Sequence, residues 1–264
     1  MRSFSIQRVW GMILRQWYEM RRSPDRIVDS FFWPSLDVAV WRLLTFFVER
    51  SSTLNVMSAI LGAVIFWAFT YSIQRDITMT TIQDLWDRNL YNVIASPLRP
   101  IELLCAGIVY GLLRMVVLFS LLTGLARALY HFSFLVFLPF MAWGMLTVVL
   151  FGIAFGIVTS GVIYRYGSNV QILCWSGLAL LMPILGIMYP VTLLPASVQH
   201  LSWVFPPTYV FAFVRGFIAE GIVPGWSAWM WPTALNIVYL ALSTMYFRYA
   251  FRHAKRRGWF IQMD

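Results

Sequence analysis

The chain has 264 residues; 60% are hydrophobic, 17% aromatic and only 12% charged, and the formal net charge is +9. Ordinary soluble domains are about one-quarter charged, so the composition excludes a soluble globular domain and points to an all-α polytopic membrane protein built as one domain. Its Lys and Arg mark a cytoplasmic side before they mark nucleic acid, and no nucleic-acid partner is expected.

Residues 1–22 read as an amphipathic helix. Ile6, Val9, Trp10, Ile13, Leu14, Trp17 and Tyr18 share one face, and Arg8, Arg15 and Arg22 recur on the other. Such a helix lies in the cytoplasmic interface with its aromatics in lipid and its arginines in water. A cleaved signal peptide fits poorly, because arginines run throughout and no compact apolar stretch is present. Six spans are expected, since runs of about 20 apolar residues cross the hydrocarbon core. They cover residues 27–48, 54–73, 101–125, 134–164, 170–188 and 226–247. Asp29, Asp37 and Arg42 fall in or near the first, and Arg114 in the third. Arg75 and Asp76 are expected to return the chain to water after the second.

Thr80 to Pro100, TTIQDLWDRNLYNVIASPLRP, is itself two-faced. Ile82, Leu85, Trp86, Asn89, Leu90, Val93 and Ile94 follow one side of a helix over residues 80–94, and Asp84, Asp87, Arg88 and Tyr91 the other. Thr80 with Gln83 reads as a capping box. Ser96-Pro97 ends the helix, because a residue before proline is pushed out of helical geometry. This pattern suits either a docking element for a motor subunit or an interfacial helix packed on lipid. Residues 189–225 are too apolar for a free loop, and Pro190, Pro195, Pro206 and Pro207 prevent one long span. They are expected to re-enter the membrane from outside as short helices. The second of these would be Thr208–Ala219, with Tyr209, Phe213 and Phe217 on one face and Arg215 within it.

Six spans place both termini on one side. Of the 20 Lys and Arg, fifteen fall on that side, including Arg248, Arg252, Lys255, Arg256 and Arg257 of the tail; Arg50, Arg127 and Arg215 fall on the other. Both termini are therefore expected in the cytoplasm. The only lysine, Lys255, lies in the tail, so the chain cannot carry its own P-loop, which needs a lysine at the phosphates. The histidines His131, His200 and His253 are scattered, Cys105 and Cys174 read as packed thiols, and neither a catalytic cluster nor a metal site is expected. Gly107-x-x-x-Gly111 and Gly152-x-x-x-Gly156, extended by Ser160, allow close helix approach, either inside the chain or at a dimer seam. Charges at membrane depth need a partner or a wet cavity. Trp33, Asp37, Arg42 and Arg114 are thus candidates for a substrate path, and Asp37 with Arg114 is a possible structural ion pair.

The order of these parts, with YNVIASPL at Tyr91–Leu98 and the segment from Pro206-Pro207-Thr208-Tyr209 to Arg215, resembles the permease subunit of ABC-2 type exporters over essentially the whole chain. The first span carries more charge than is general in that family. The resemblance implies a non-enzymatic membrane subunit that exports a lipid-linked glycan, lipid or amphipathic small molecule. It implies a separate ABC ATPase partner that holds ATP and Mg, with no cofactor on this chain. It also implies a second permease copy, contact with membrane lipids, and an outer gate around Pro190, Pro195, Pro206, Pro207, Tyr209 and Arg215. Asp84, Leu85, Trp86, Arg88, Asn89, Leu90 and Tyr91 would form the ATPase-coupling surface. A haem or maturation-factor exporter, or an ATP-independent scaffold or scramblase, are the other readings.

Overall fold

The computed structural model describes residues 4–257 except 25–26, 29–30, 37–38, 41–42, 44–55, 88, 90–91, 94–95 and 131–137. Every regular element among the described residues is helical. In chain order they are α1 (Ile6–Arg22), α2 (Val56–Trp86), α3 (Pro100–Tyr130), α4 (Leu138–Tyr166), α5 (Leu173–Ala179), α6 (Ala196–Ser202), α7 (Pro206–Glu220) and α8 (Trp226–Arg257). Short 3₁₀ turns at Gly167–Val170 and Val191–Leu193 link some of them. Residues 31–36 are also helical. Among the described residues, two stretches, Pro100–Leu125 and Ala142–Val170, are long and apolar enough to cross a membrane.

The bundle is built around α2, which packs against α3, α4, α5 and α7. Small residues permit this. A Cβ on Gly111 of α3 would stand 2.6 Å from Ile73 Cδ1, and one on Gly152 of α4 would stand 2.5 Å from Ile73 Cγ2 and 2.6 Å from the Thr70 carbonyl oxygen. Gly156 abuts Gln74 and Ile77, and the Ser160 hydroxyl donates to the Ile77 carbonyl. Both small-residue motifs therefore serve packing inside the chain. α8 lies along α4 through Tyr164, Phe247 and Phe251, whose rings meet edge-on at 5.6 Å and 5.3 Å from Tyr164.

Helix α2 differs from expectation. No break follows Ile73, and Arg75 and Asp76 do not leave the protein; they are 5% and 3% exposed in the middle of an uninterrupted helix. Thr80 starts nothing: its hydroxyl donates to the Ile77 carbonyl one turn back, so the capping box is absent. The helix ends at Trp86, where the Asn89 backbone N–H returns to the Asp84 carbonyl at 3.0 Å. The reason is packing. Thr70, Ser72, Gln74, Thr78 and Thr81 are all buried. Thr70 and Thr78 bond to carbonyls one turn back, and Gln74 donates to Thr78 and to the Cys174 carbonyl. A polar stretch remains inside when its partners are inside with it.

The region expected as a fifth span is a seven-residue helix, α5, continued by tight turns to Leu185, with Ile172 and Leu180 exposed. In the proline-broken segment, α7 opens with Pro206 and Pro207 in its first turn, where a missing N–H costs nothing. It closes at Gly221 in the left-handed conformation, φ 71°. Val210, Phe211 and Val214 are buried, and Phe213, on the face it shares with Tyr209 and Phe217, packs edge-on against Trp229 at 4.9 Å.

Candidate functional site

Two features at opposite parts of α2 stand out, an ionic junction at its C-terminal end and a cavity beside its middle. The junction begins with α1. Val9, Met12, Ile13 and Gln16 are buried against the bundle. Ile6, Trp10, Leu14, Trp17 and Tyr18 remain exposed on one flank. The arginines on the other flank do not simply face water. Arg8 binds Glu102 at 2.6 Å, and Glu102 is fully buried in the first turn of α3. The same carboxylate accepts the backbone N–H groups of Ser5 and Arg99, both at 2.9 Å. The Arg99 bond is the return half of a capping box at the start of α3. The glutamate beside Arg8 holds that guanidinium more firmly charged than usual.

Arg15 bridges Glu19 on its own helix and Asp84 on α2. With its amide oxygen turned inward, Asn89 also accepts from Arg15 at 3.1 Å. Burial pushes the Asp84 carboxyl above its ordinary range, and Arg15 opposes that push. Asp84 was expected on a free polar face; it is 2% exposed and committed to α1. Such a carboxylate stays inside only with its cation beside it. The surface that remains at this end is Trp86, half exposed, with Leu85 partly buried behind it. The Trp86 indole N–H donates to Gln171 Oε1 at 2.9 Å, and its ring stacks on Trp175 at 6.2 Å. Arg88, Leu90 and Tyr91 lie outside the described residues.

The cavity, of about 600 Å³, opens between the 31–36 helical segment, α2, α5 and the turns after α5. Trp33, Trp67, Tyr71 and Trp175 give it aromatic walls, and Val64, Met182 and Met188 add apolar ones. Among the described residues, Arg75 is the single charged one in the lining, with its guanidinium 5.8 Å from the Tyr71 ring centre. Pockets of this size with mostly apolar walls and one charged group suit an organic ligand that carries a single polar or anionic group. Trp33 is thus in place as a lining residue, while Asp37 and Arg42 lie outside the described residues.

Arg114 is not in that lining. It binds Asp76 at 2.7 Å across α3 and α2 and lies 6.0 Å from the centre of the Phe31 ring. Asp76, its partner, is a residue that sequence reading had assigned to water; the possible pairing with Asp37 lies outside the described residues. Arg75 was missed for the same reason. The signal available was the run Thr70 to Thr81, whose polar side chains recur on all sides of α2 and suit a helix surrounded by protein.

The proline-broken segment is tied to itself. Ser202 donates to the Ile184 carbonyl, Thr208 to the Ser202 carbonyl, and the Tyr209 hydroxyl to the Trp203 carbonyl at 2.9 Å. Arg215 donates to the Gly186 carbonyl, and Gly186 has a φ of 65° that few other residues adopt. Pro190 and Pro195 sit directly before the 3₁₀ turn and α6 respectively. No protein-family model matches the chain, and no curated protein matches it.

Proposed function

We propose that the chain is the membrane subunit of an ATP-driven exporter of the ABC-2 kind. It would cross a bacterial inner membrane six times with both termini in the cytoplasm, act as a pair of copies, and take its energy from a separate ATPase subunit. The observation that carries this reading is the single rigid α2, which joins the cavity at Trp67, Tyr71 and Arg75 to the exposed Trp86 at the other end. Eleven residues separate Arg75 from Trp86, about 16 Å at 1.5 Å per residue, with no hinge between them. A push at Trp86 therefore reaches the cavity wall as displacement of one body. The lack of a P-loop lysine supports an energy source on another chain.

In this reading the cavity takes an amphiphile, its apolar body against the tryptophans and its anionic group at Arg75. ATP-driven closure of the partner subunits would tilt α2 together with α1, which the Arg15–Asp84 pair holds to it. Helices α6 and α7 would close the path on the outer side. The test is Trp86→Ala in the purified complex. Copurification with a P-loop ATPase, or substrate-stimulated hydrolysis, should fall at least about tenfold, since buried aromatic anchors carry much of an interface's energy. Membrane insertion and monodispersity should stay unchanged. Wild-type coupling in a well-folded variant would remove α2 as the lever.

A further inference from the structure

The exposed side of α8 has a character that changes once along its length. Trp231, Val238, Leu242, Met245 and Tyr249 follow one another at helical spacing and are each more than half exposed. Arg252 and Arg256 continue the same line, and both are exposed. From Trp231 to Tyr249 is eighteen residues, about 27 Å of apolar helix surface, close to one hydrocarbon thickness. The cations begin where the apolar stripe stops. Two shallow concavities lie there. One, of about 380 Å³, has Met245, Tyr249 and Arg248, Arg252, Arg256 in its wall. The other, of about 250 Å³, sits between Leu98 with Pro100 and the Phe251, Arg252, Lys255, Arg256 side of α8. Arg165 adds a further cation beside Tyr249, 5.7 Å from its ring centre. Among the described residues, none of Arg248, Arg252, Lys255 and Arg256 has a carboxylate partner.

We propose that this face of α8 holds an anionic phospholipid, with an acyl chain along Val238, Leu242 and Met245 and the phosphate between Arg252 and Arg256. The inference rests on the membrane reading above. A soluble acidic partner would satisfy the arginines but leave the apolar stripe uncovered. A neutral lipid would cover the stripe but leave the cations without a counter-charge. One molecule with both parts satisfies both, and juxtamembrane cations attract anionic headgroups at about 1 kcal/mol each. Tyr249 stands at the change of character, where an aromatic ring with a polar tip suits the headgroup boundary.

The experiment uses the purified full chain reconstituted in bilayers of phosphatidylcholine and phosphatidylglycerol in equal amounts, followed by mass spectrometry of the lipid retained on re-extraction. Phosphatidylglycerol should be enriched over the bath on the wild type. Arg252→Gln with Arg256→Gln should reduce that enrichment about thirtyfold, as two lost cations imply. Arg252→Lys with Arg256→Lys should keep most of it, and Arg21→Gln with Arg22→Gln, at the exposed end of α1, should leave it unchanged. Leu242→Asn with Met245→Asn should weaken retention while the cations remain. Equal enrichment in both glutamine pairs, or displacement by soluble glycerol phosphate alone, would overturn the proposal. So would a dimer trapped through Met245→Cys, which would assign the face to a second copy. A chain that inserts normally but shows no enrichment removes the lipid site and leaves the exporter reading standing. Failure of the wild type to insert into this mixed bilayer removes both.

Discussion

Arg15 and Asp84 show how much a single contact decides at the basic end of the molecule. The carboxylate is buried and the arginine is about one-quarter exposed, so the two partners are not equivalent. Arg15→Ala strands a buried charge, a class of change that costs about 3–5 kcal/mol. Asp84→Asn leaves an arginine that can turn to water and keep Glu19, and it should cost about 1 kcal/mol. Thermal unfolding of the two variants in detergent should show that order. The pH dependence adds a sign. A carboxyl whose folded pKa is raised binds its proton more readily in the fold than in the unfolded chain. Its contribution is therefore full below the ordinary carboxyl range and is lost as the pH rises through the raised value. Without Arg15 the rise is larger, so the penalty of Arg15→Ala should shrink as the pH is lowered toward 4. A penalty that grows on acidification would contradict this account of the junction.

The behaviour of α2 as an element follows from its neighbours. Its polar residues are buried because α3 and α4 approach close enough to enclose them, and that approach depends on glycines. Gly152→Ala puts a methyl group within 2.6 Å of a backbone carbonyl that cannot move aside alone. Overpacking of this kind costs about 1–3 kcal/mol. Gly124→Ala in α3 meets nothing within 4 Å. That change should be neutral or stabilise by up to about 1 kcal/mol through helix propensity. A pair of melting curves separates the two. Equal effects would mean that α4 does not seat on Thr70 and Ile73 as described. The Arg114–Asp76 pair lies across the other contact of α2, with α3.

For the whole molecule, Arg8 and Arg15 of α1 meet Glu102 of α3 and Asp84 of α2, and Arg252, Lys255 and Arg256 of α8 face Leu98 and Pro100 at the start of α3. The proposed topology puts this basic end in the cytoplasm. Cysteine labelling checks it: Ser51, His131 and Gln199 should react from outside, and Asp87 from inside. Labelling of Gln199 from the cytoplasm alone would invert the proposed topology. The segment from Phe205 to Phe217 should resist protease from outside, because Val210, Phe211 and Val214 are buried in the bundle.

Several things were legible in the sequence because they depend on short-range chemistry. Helix content, the two-sided α1 and the end of α7 at Glu220-Gly221 follow from periodicity and glycine's freedom at positive φ. What the sequence did not carry was which polar residues have partners. A polar run such as Gln74-Arg75-Asp76 reads as a return to water unless Arg114 on α3 and the Cys174 carbonyl are known to meet it. Arg15 reads as a solvated arginine until Asp84, 69 residues away, is set beside it. Hydrophobic pattern is a property of neighbours in the chain, and so it was available from the start. Burial of charge is decided by neighbours in space, and only the packing of α1, α3 and α4 around α2 fixed that.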